Sequence, residues 1–196
     1  MYWGPGSKLA NLPTKRTGLR PPLIARYVSP DVSEAELTKV RVDLPNHWAT
    51  GGESFWARPL GNDRYELHNV PFHAYDLNFL DVVEAVAATT DLKPEIRRVV
   101  RRSGHRTLRV IFPASTPEVD RVPLLESLGD LQASFEGANE TLFAIDIKPS
   151  GNYQAVRDRL DVWEKEGLLD YETCEARVEG SFDDEPHHAE NGDDAG

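Results

Sequence analysis

The chain has 196 residues with 22 basic and 33 acidic side chains, which give a formal net charge of -11. This acidity argues against a protein that coats duplex nucleic acid, because phosphate binding needs a basic surface. With a single cysteine, Cys174, the chain can form neither an internal disulfide framework nor a zinc site of several cysteines. No apolar run reaches the roughly 18 residues that span a bilayer, and the first residues lack the apolar core of a secretory signal. We therefore expect a soluble cytoplasmic protein that makes no membrane contact.

The two ends of the chain differ from its middle in charge and pattern. Residues 1–30 carry five bases and no acid, whereas residues 179–196 carry seven acids and no base. Neither end has periodic apolar positions, so neither can bury enough surface to offset the entropy of ordering. We predict a disordered basic arm at residues 1–30 and a disordered acidic tail at residues 179–196. The tail is either a solvating segment or a partner-binding one.

Around residues 39–112 the chain shows the period-two alternation of apolar and polar side chains that is typical of half-buried strands, and residues 31–106 are predicted to form a β-rich half. Short turns at residues 61–63 and 103–105 each separate two strand-like runs, which predicts two hairpins. Short antiparallel strands without a long helix predict a small SH3-like barrel. The predicted strands are residues 40–44, 54–60, 64–70, 81–87, 96–102 and 107–112.

Residues 107–178 change period. Val122, Leu125 and Leu128 recur at helical spacing, and Asn152 can cap a second helix whose apolar stripe includes Leu160 and Trp163. A hairpin at residues 133–147 and a closing strand at 171–178 complete the order β-α-β-β-α-β, which is that of a ferredoxin-like unit. The predicted fold class is therefore α+β, a barrel followed by a ferredoxin-like half. Right-handed crossovers would place both helices on one sheet face and leave the other for a partner, a ligand or the first half.

Three stretches carry a family resemblance. They are HWATGGESFWARPL at residues 47–60, RRSGHRTLRVIF at 101–112 and EGLLDYETCEARV at 166–178. From about residue 39 to residue 178 the chain resembles a bacterial family of unknown function that is common in actinobacteria. The resemblance implies a stand-alone cytoplasmic domain and brings no catalytic residue with it.

The densest polar and aromatic stretch is residues 47–81. Glu53 or Asp81 could serve as a general base, with His47 or His73 as its acid partner, because such chemistry needs groups that titrate near neutral pH. In the alternative, the stretch is structural and its carboxylate accepts hydrogen bonds from loop amides. The histidine spacings match no metal-ligand template, and no nucleotide or hydrolase motif occurs. We therefore expect no metal and no cofactor.

Six arginines fall within residues 97–109, which is unusual in so acidic a chain. On a hairpin, Arg98, Arg102 and Arg106 could form a fork that binds a phosphate or a carboxylate. The cluster could instead pair with the chain's own acids, for example the 179–196 tail or residues 164–166. An acidic protein partner, and then a nucleotide or nucleic acid, are further possibilities. Cys174 is expected to be a small buried hydrophobe and not a nucleophile.

Two functions of different classes remain. The leading hypothesis is a non-enzymatic protein-binding or regulatory module, of which an antitoxin or immunity protein is one version. The alternative is a small-ligand-binding protein or enzyme that uses residues 47–81 with the arginine hairpin as its anion clamp. The alternative predicts that Glu53, His47 or His73 and an arginine converge, with perturbed titration. The leading hypothesis predicts an exposed apolar patch on the sheet face.

Overall fold

The structure is a computed structural model that describes residues 36–89 and 91–186. The predicted basic arm at residues 1–30 and the end of the acidic tail lie outside the described residues. The fold is mixed α+β. Its strands are β1 Thr38–Asp43, β2 Gly52–Gly61, β3 Arg64–Leu67, β4 Val82–Val86, β5 Glu95–Arg101, β6 Arg106–Ile111, β7 Ala133–Gly137, β8 Leu142–Ile147 and β9 Asp170–Thr173, and its helices are α1 Glu118–Glu126 and α2 Tyr153–Lys165.

Strands β1 to β5 form a closed barrel in which each strand pairs with the next one along the chain. A parallel pair between Arg41 and Glu95 closes the barrel from β1 to β5. The predicted alternation of β1 is confirmed, because Val40, Val42 and Leu44 are buried in the barrel core. The first predicted hairpin is also confirmed, since β2 and β3 pair antiparallel across the turn at residues 61–63.

The remaining strands form a four-stranded sheet in the order β7-β8-β6-β9. All three neighbouring pairs are antiparallel. Alternate residues of β6 and β8, such as Leu108, Val110 and Ile145, pack with α1 and α2 into one core. Both helices therefore cover the same sheet face, as the sequence predicts. Asn152 caps α2 by accepting a hydrogen bond from the amide of Ala155, which is also as predicted.

The predicted hairpin around residues 103–105 is wrong. β5 pairs with β4 and β1 in the barrel, whereas β6 pairs with β8 and β9 in the sheet. Gly104 has a φ of 86°, which suits a sharp change of direction between the two sheets. The halves therefore share no strand, and the turn residues mark a crossing from one sheet to the other.

The loop between β3 and β4, residues 68–81, joins the barrel to the second face of the sheet. Val70 and Phe79 pack with Ala144 of β8 in a small apolar cluster. The amide of Asp76 donates to the carbonyl of Cys174 at 2.7 Å, just beyond β9. The sheet face opposite the helices is thus covered by the first half and offers no exposed apolar patch there among the described residues.

The chain after β9 also differs from expectation. β9 ends at Thr173, so the predicted strand 171–178 is shorter, and Ala176 is exposed instead of facing the core. The sequence predicts a disordered beginning of the tail, yet residues 182–184 pack onto the rest of the fold. Phe182 packs against the barrel core, and the amide of Tyr75 donates to its carbonyl at 2.9 Å. Asp183 accepts bonds from the amide and side chain of Asn46 at 2.7 and 2.9 Å.

These contacts predict that residues 179–186 stabilise the fold. A chain ending at residue 178 loses the Phe182 packing and the hydrogen bonds of Asp183, which together contribute about 2–4 kcal/mol. A chain ending at residue 186 keeps them and is the matched comparison. Urea unfolding of the two chains measures the difference. Equal stabilities would show that the segment adds nothing to the fold.

Candidate ligand site between the barrel and the sheet

The centre of the site is a buried arginine on β6. The alternation of β6 turns Leu108 and Val110 toward the helices and Arg109 toward the barrel. Arg109 has an exposed fraction of 0%. Its Nε lies 3.1 Å from a carboxylate oxygen of Glu172, which comes from the neighbouring strand β9. A fully buried guanidinium is rare and costly, because desolvation must be offset by charge and hydrogen bonds.

The remaining hydrogen-bonding capacity of this guanidinium is unused by the described residues. Among them, neither terminal amino group of Arg109 has a hydrogen-bond partner. Buried polar groups in folded proteins are almost always bonded. The Arg109 amino groups therefore call for an acceptor beyond the described part of the chain.

Glu172 links two guanidinium groups. Its second carboxylate oxygen lies 3.1 Å from Nη2 of Arg177, and the hydroxyl of Tyr75 lies 3.4 Å from both oxygens. Glu172 is 2% exposed, so its charge acts in a medium of low dielectric constant. It neutralises Arg109 on one side while the terminal amino groups stay available.

Tyr75 lies between the two guanidinium groups. The carbon Cζ of Arg109 is 4.3 Å from the centre of its ring, and that of Arg177 is 4.7 Å away. Such cation–π contacts are strongest when the pair is removed from water. Burial, and then the charge of Glu172, raise the pKa of Tyr75, so its hydroxyl stays protonated and acts as a donor.

Two histidines lie at the partly exposed rim. The ring centres of His47 and His73 are 5.1 Å apart, and His47 lies 6.5 Å from the Tyr75 ring. Burial, then His73 and Arg109, lower the pKa of His47 to about 3. Burial is also the first cause of a lowered pKa at His73, which Glu53 partly offsets. Both rings are neutral at pH 7. The amide of Ala49 donates to Nδ1 of His47, which leaves the proton on Nε2.

The neutral state of His47 predicts acid sensitivity. Unfolded His47 binds a proton near pH 6.5 and the folded residue only near pH 3, so stability is lost as the pH falls between these values. In His47→Gln, the free energy of unfolding should fall less steeply than in the wild type as the pH drops below about 6.5. The difference between the two slopes should stay below about 1.4 kcal/mol per pH unit, because the ring is partly exposed. Urea unfolding at several pH values measures the slope. Identical slopes in the wild type and in His47→Gln would contradict the prediction that His47 makes the fold acid-sensitive.

Glu53 has a different role from a free general base. Its carboxylate accepts hydrogen bonds from the amides of Phe72, His73 and Ala74 at 2.8, 3.0 and 2.8 Å. These bonds anchor the loop that carries His73 and Tyr75 beside Arg109. The structure therefore brings His47, Glu53 and His73 together, with Glu53 holding the loop in the manner of the structural alternative.

Asp81 belongs to a separate network. It is fully buried and accepts bonds from the amides of Ser103 and Asn78 at 2.7 and 3.1 Å. Arg102 approaches the same carboxylate at 3.5 Å. These contacts tie the β3–β4 loop to the crossing between the two sheets, so Asp81 supports the fold.

The three arginines predicted as an anion clamp lie on the surface, and each is paired with an acid. The partners are acids of the described body and belong neither to the 179–196 tail nor to residues 164–166. The pairs are Arg98 with Glu84 at 2.6 Å, Arg102 with Asp76 at 2.6 Å and Arg106 with Glu175 at 2.9 Å.

Arg109 is the sixth arginine of the same cluster and is not part of the predicted clamp. Its alternation with Leu108 and Val110 predicts a residue on the polar face of a half-buried strand. Arg109 is buried because the barrel half covers that face, which no local sequence signal indicates.

Cys174 borders the site as a thiol. Its Sγ donates to the carbonyls of Ala74 and Leu77 at 3.2 and 3.4 Å, and burial raises its pKa to about 11. It is 5% exposed, in agreement with the expectation of a small buried side chain. The described residues contain no cluster of three or more His, Cys, Asp or Glu side chains that could hold a metal ion. No helix within them is long and apolar enough to cross a membrane.

Comparison with known proteins identifies a family but no activity. The model of a family described as a domain of unknown function, DUF4265, matches residues 53–171. A structure titled "Novel crystal structure of a hypothetical protein from Neisseria gonorrhoeae" is similar with a TM-score of 0.61, at 14% identity over 71% of this chain and 94% of that chain. This likeness concerns the fold alone. No curated protein matches the chain.

Proposed function

Because the chain belongs to the DUF4265 family of domains of unknown function, we propose a function from the geometry of the site alone. The protein is proposed to bind a small organic anion between the barrel and the sheet, with Arg109 as its principal partner. This function is the ligand-binding alternative predicted from the sequence, but the buried Arg109 takes the place of the surface arginines Arg98, Arg102 and Arg106.

One observation carries the proposal. Arg109 is completely buried, yet the described residues supply no acceptor for its two terminal amino groups. A guanidinium presents paired N–H groups that match the two oxygens of a carboxylate or phosphate. Neutral His47 and His73 add no charge, so Arg109 and Arg177 are the positive groups that face Tyr75.

Binding is favoured over catalysis because the reactive groups of the site are already occupied. The carboxylate of Glu53 accepts three backbone hydrogen bonds, and the thiol of Cys174 donates to backbone carbonyls. A general base must reach a substrate proton, and a nucleophile needs a lowered pKa. Neither residue has these properties.

A panel of simple carboxylates and phosphate tests the proposal by calorimetry and thermal shift. A ligand at about 100 times its Kd should stabilise the protein by about 2.7 kcal/mol. Arg109→Lys should weaken binding severely, because an ammonium lacks the planar fork. The double variant Arg98→Gln, Arg106→Gln is the matched control and should bind as the wild type does.

Salt dependence gives an answer even if Arg109→Lys does not fold. An anion held by a buried guanidinium is screened little, so its affinity should change only slightly between about 50 and 200 mM salt. A steep fall in affinity, or loss of binding in the surface double variant, would place the anion on the exposed arginines. If no anion of the panel binds, the proposal is wrong.

A protein-binding or regulatory role, the leading hypothesis from sequence, is the second candidate. The observation that favours it is a mostly apolar groove lined by Pro123 and Leu124 of α1 and by Leu168 of the α2–β9 loop. Val119 of α1 and Val162 of α2 are also exposed apolar side chains. Val119→Asp and Val162→Asp should lose any partner that the wild type captures from its native cells. A partner retained by both variants would exclude this groove as the contact surface.

The finer fold classification is also a proposal. The strand order β7-β8-β6-β9 with both helices on one face supports a ferredoxin-like unit, and the closed barrel of five short strands supports an SH3-like class. A bacterial origin for this chain stays a prediction from the family resemblance. A cytoplasmic location stays a prediction.

A further inference from the structure

A second open polar group lies in the site, on the segment that follows β9. Asp184 is 1% exposed, and within the described part of the chain neither of its carboxylate oxygens has a hydrogen-bond partner. Burial, and then the charge of Asp183, raise the pKa of Asp184, while a weak contact with the Tyr75 hydroxyl and the charges of Arg177 and Arg109 oppose this rise. A buried carboxyl group without a donor is as costly as a buried guanidinium without an acceptor.

The position of Asp184 is set mainly by its neighbours in the chain. Asp183 is held by Asn46 at 2.7 and 2.9 Å, and the carbonyl of Phe182 accepts from the amide of Tyr75 at 2.9 Å. The segment is therefore anchored on both the barrel and the β3–β4 loop. This anchoring places an unbonded acid where the fold alone gains nothing from it.

Arg109 and Asp184 meet at the same aromatic ring. The Arg109 guanidinium lies 4.3 Å from the centre of the Tyr75 ring. The charge of Asp184 acts on the Tyr75 hydroxyl, and the charge of Arg109 acts on Asp184. The site thus presents a buried cation and a buried acid that both act on Tyr75, on elements that three different parts of the chain supply.

We infer that the ligand is a zwitterion of the α-amino acid type, with its carboxylate on Arg109 and its ammonium on Asp184. This inference rests on the proposed function, since it names the class of anion that Arg109 binds. A simple anion satisfies Arg109 and leaves the acid beside it without a donor. An amino acid satisfies both groups, and its ammonium can also lie against the Tyr75 ring.

Matched ligand pairs separate this inference from the proposed function. Each pair is an amino acid and the same acid without its amino group: alanine and propionate, phenylalanine and 3-phenylpropionate, glutamate and glutarate. For at least one pair, we expect the amino acid to bind wild-type protein more tightly by about tenfold or more, as measured by calorimetry near pH 7.5.

The variant Asp184→Asn tests the residue assignment. It should remove the preference for the amino group, and plain acids should bind at least as well as before, because a negative charge has left the site. Asp184→Asn should also fold. The site disfavours a charged carboxylate, as the raised pKa of Asp184 indicates, and the asparagine amide carries no charge. Glu185→Gln, on the exposed neighbouring residue, is the matched control and should keep the preference.

Each result decides between the two proposals. Plain acids that bind wild-type protein as tightly as their amino acids would overturn the inference and leave anion binding intact. A preference that survives in Asp184→Asn would also overturn it. If no member of either series binds, the proposed function itself fails.

Discussion

Replacing Glu172 with glutamine is expected to cost about 3–5 kcal/mol of unfolding free energy, the largest effect of any single substitution in the site. Glutamine keeps the shape of the side chain and removes its charge. Arg109, which is 0% exposed and 3.1 Å from the carboxylate, would then be a buried cation without its ion-pair partner. Breaking a buried ion pair from one side is far more costly than removing both partners.

The double variant Arg109→Met, Glu172→Gln tests this explanation. It removes the buried charge as well as its partner, so it should recover much of the stability that Glu172→Gln loses. Arg177, the second partner of Glu172, is partly exposed and can turn toward water. Urea unfolding of the wild type, both single variants and the double variant gives the coupling energy of the pair.

Glu175→Gln is the control, because it removes the same charge from an ion pair on the surface. Arg106 and Glu175 lie 2.9 Å apart with side-chain exposures of 48% and 65%. Such a pair contributes no more than about 1 kcal/mol. If Glu172→Gln were as mild as Glu175→Gln, Arg109 would not depend on Glu172, and the central ion pair of the site would have no energetic role.

The contrast between these two glutamates also shows what the sequence can and cannot predict. Alternation and turn residues located most strands, because they act between neighbours in the chain. Val40, Val42 and Leu44 face the barrel core for this reason, and Asn152 begins α2 through a bond to a residue three positions later. Signals of this kind need no knowledge of the rest of the fold.

Such local signals do not predict which distant strands pair with each other. The turn at residues 103–105 has the composition of a hairpin, yet β5 and β6 belong to different sheets. β6 lies between β8 and β9, and its Arg109 faces the barrel and is buried, whereas Arg106 at the start of the same strand and Arg98 on β5 are exposed. Six arginines close in sequence therefore divide into surface ion pairs and one buried cation, and only the tertiary structure makes the division.

The partners of the buried arginine are equally distant in sequence. Tyr75 comes from the β3–β4 loop, Glu172 from β9 and Asp184 from the segment beyond it. The dense stretch at residues 47–81 did indicate His47, His73 and Glu53, which lie together at the rim. The composition of this stretch could not indicate that the Glu53 carboxylate accepts hydrogen bonds from loop amides. Those bonds depend on how residues 72–74 turn back onto β2.

That use of Glu53 leads to the second large effect. Glu53→Gln is expected to lower the free energy of unfolding by about 2–4 kcal/mol, since the carboxylate accepts bonds from the amides of Phe72, His73 and Ala74. Hydrogen bonds to a charged acceptor contribute about 1.5–3 kcal/mol each. The glutamine side chain offers one oxygen, and its amino group cannot accept, so at least one amide would lose its partner.

Hydrogen exchange distinguishes this local role from a general loss of stability. In Glu53→Gln the amides of Phe72, His73 and Ala74 should exchange faster than the fall in global stability accounts for, because their shared acceptor is weakened. Glu95→Gln, which breaks a surface pair with Arg97 at 2.8 Å on the same barrel, is the matched control and should leave these amides protected. Residues 72–74 lead into Tyr75, which lies beside Arg109. The Glu53→Gln substitution should therefore also weaken the proposed anion binding at Arg109, although residue 53 does not contact the anion. Unchanged protection of the three amides in Glu53→Gln would show that the carboxylate does not hold the loop.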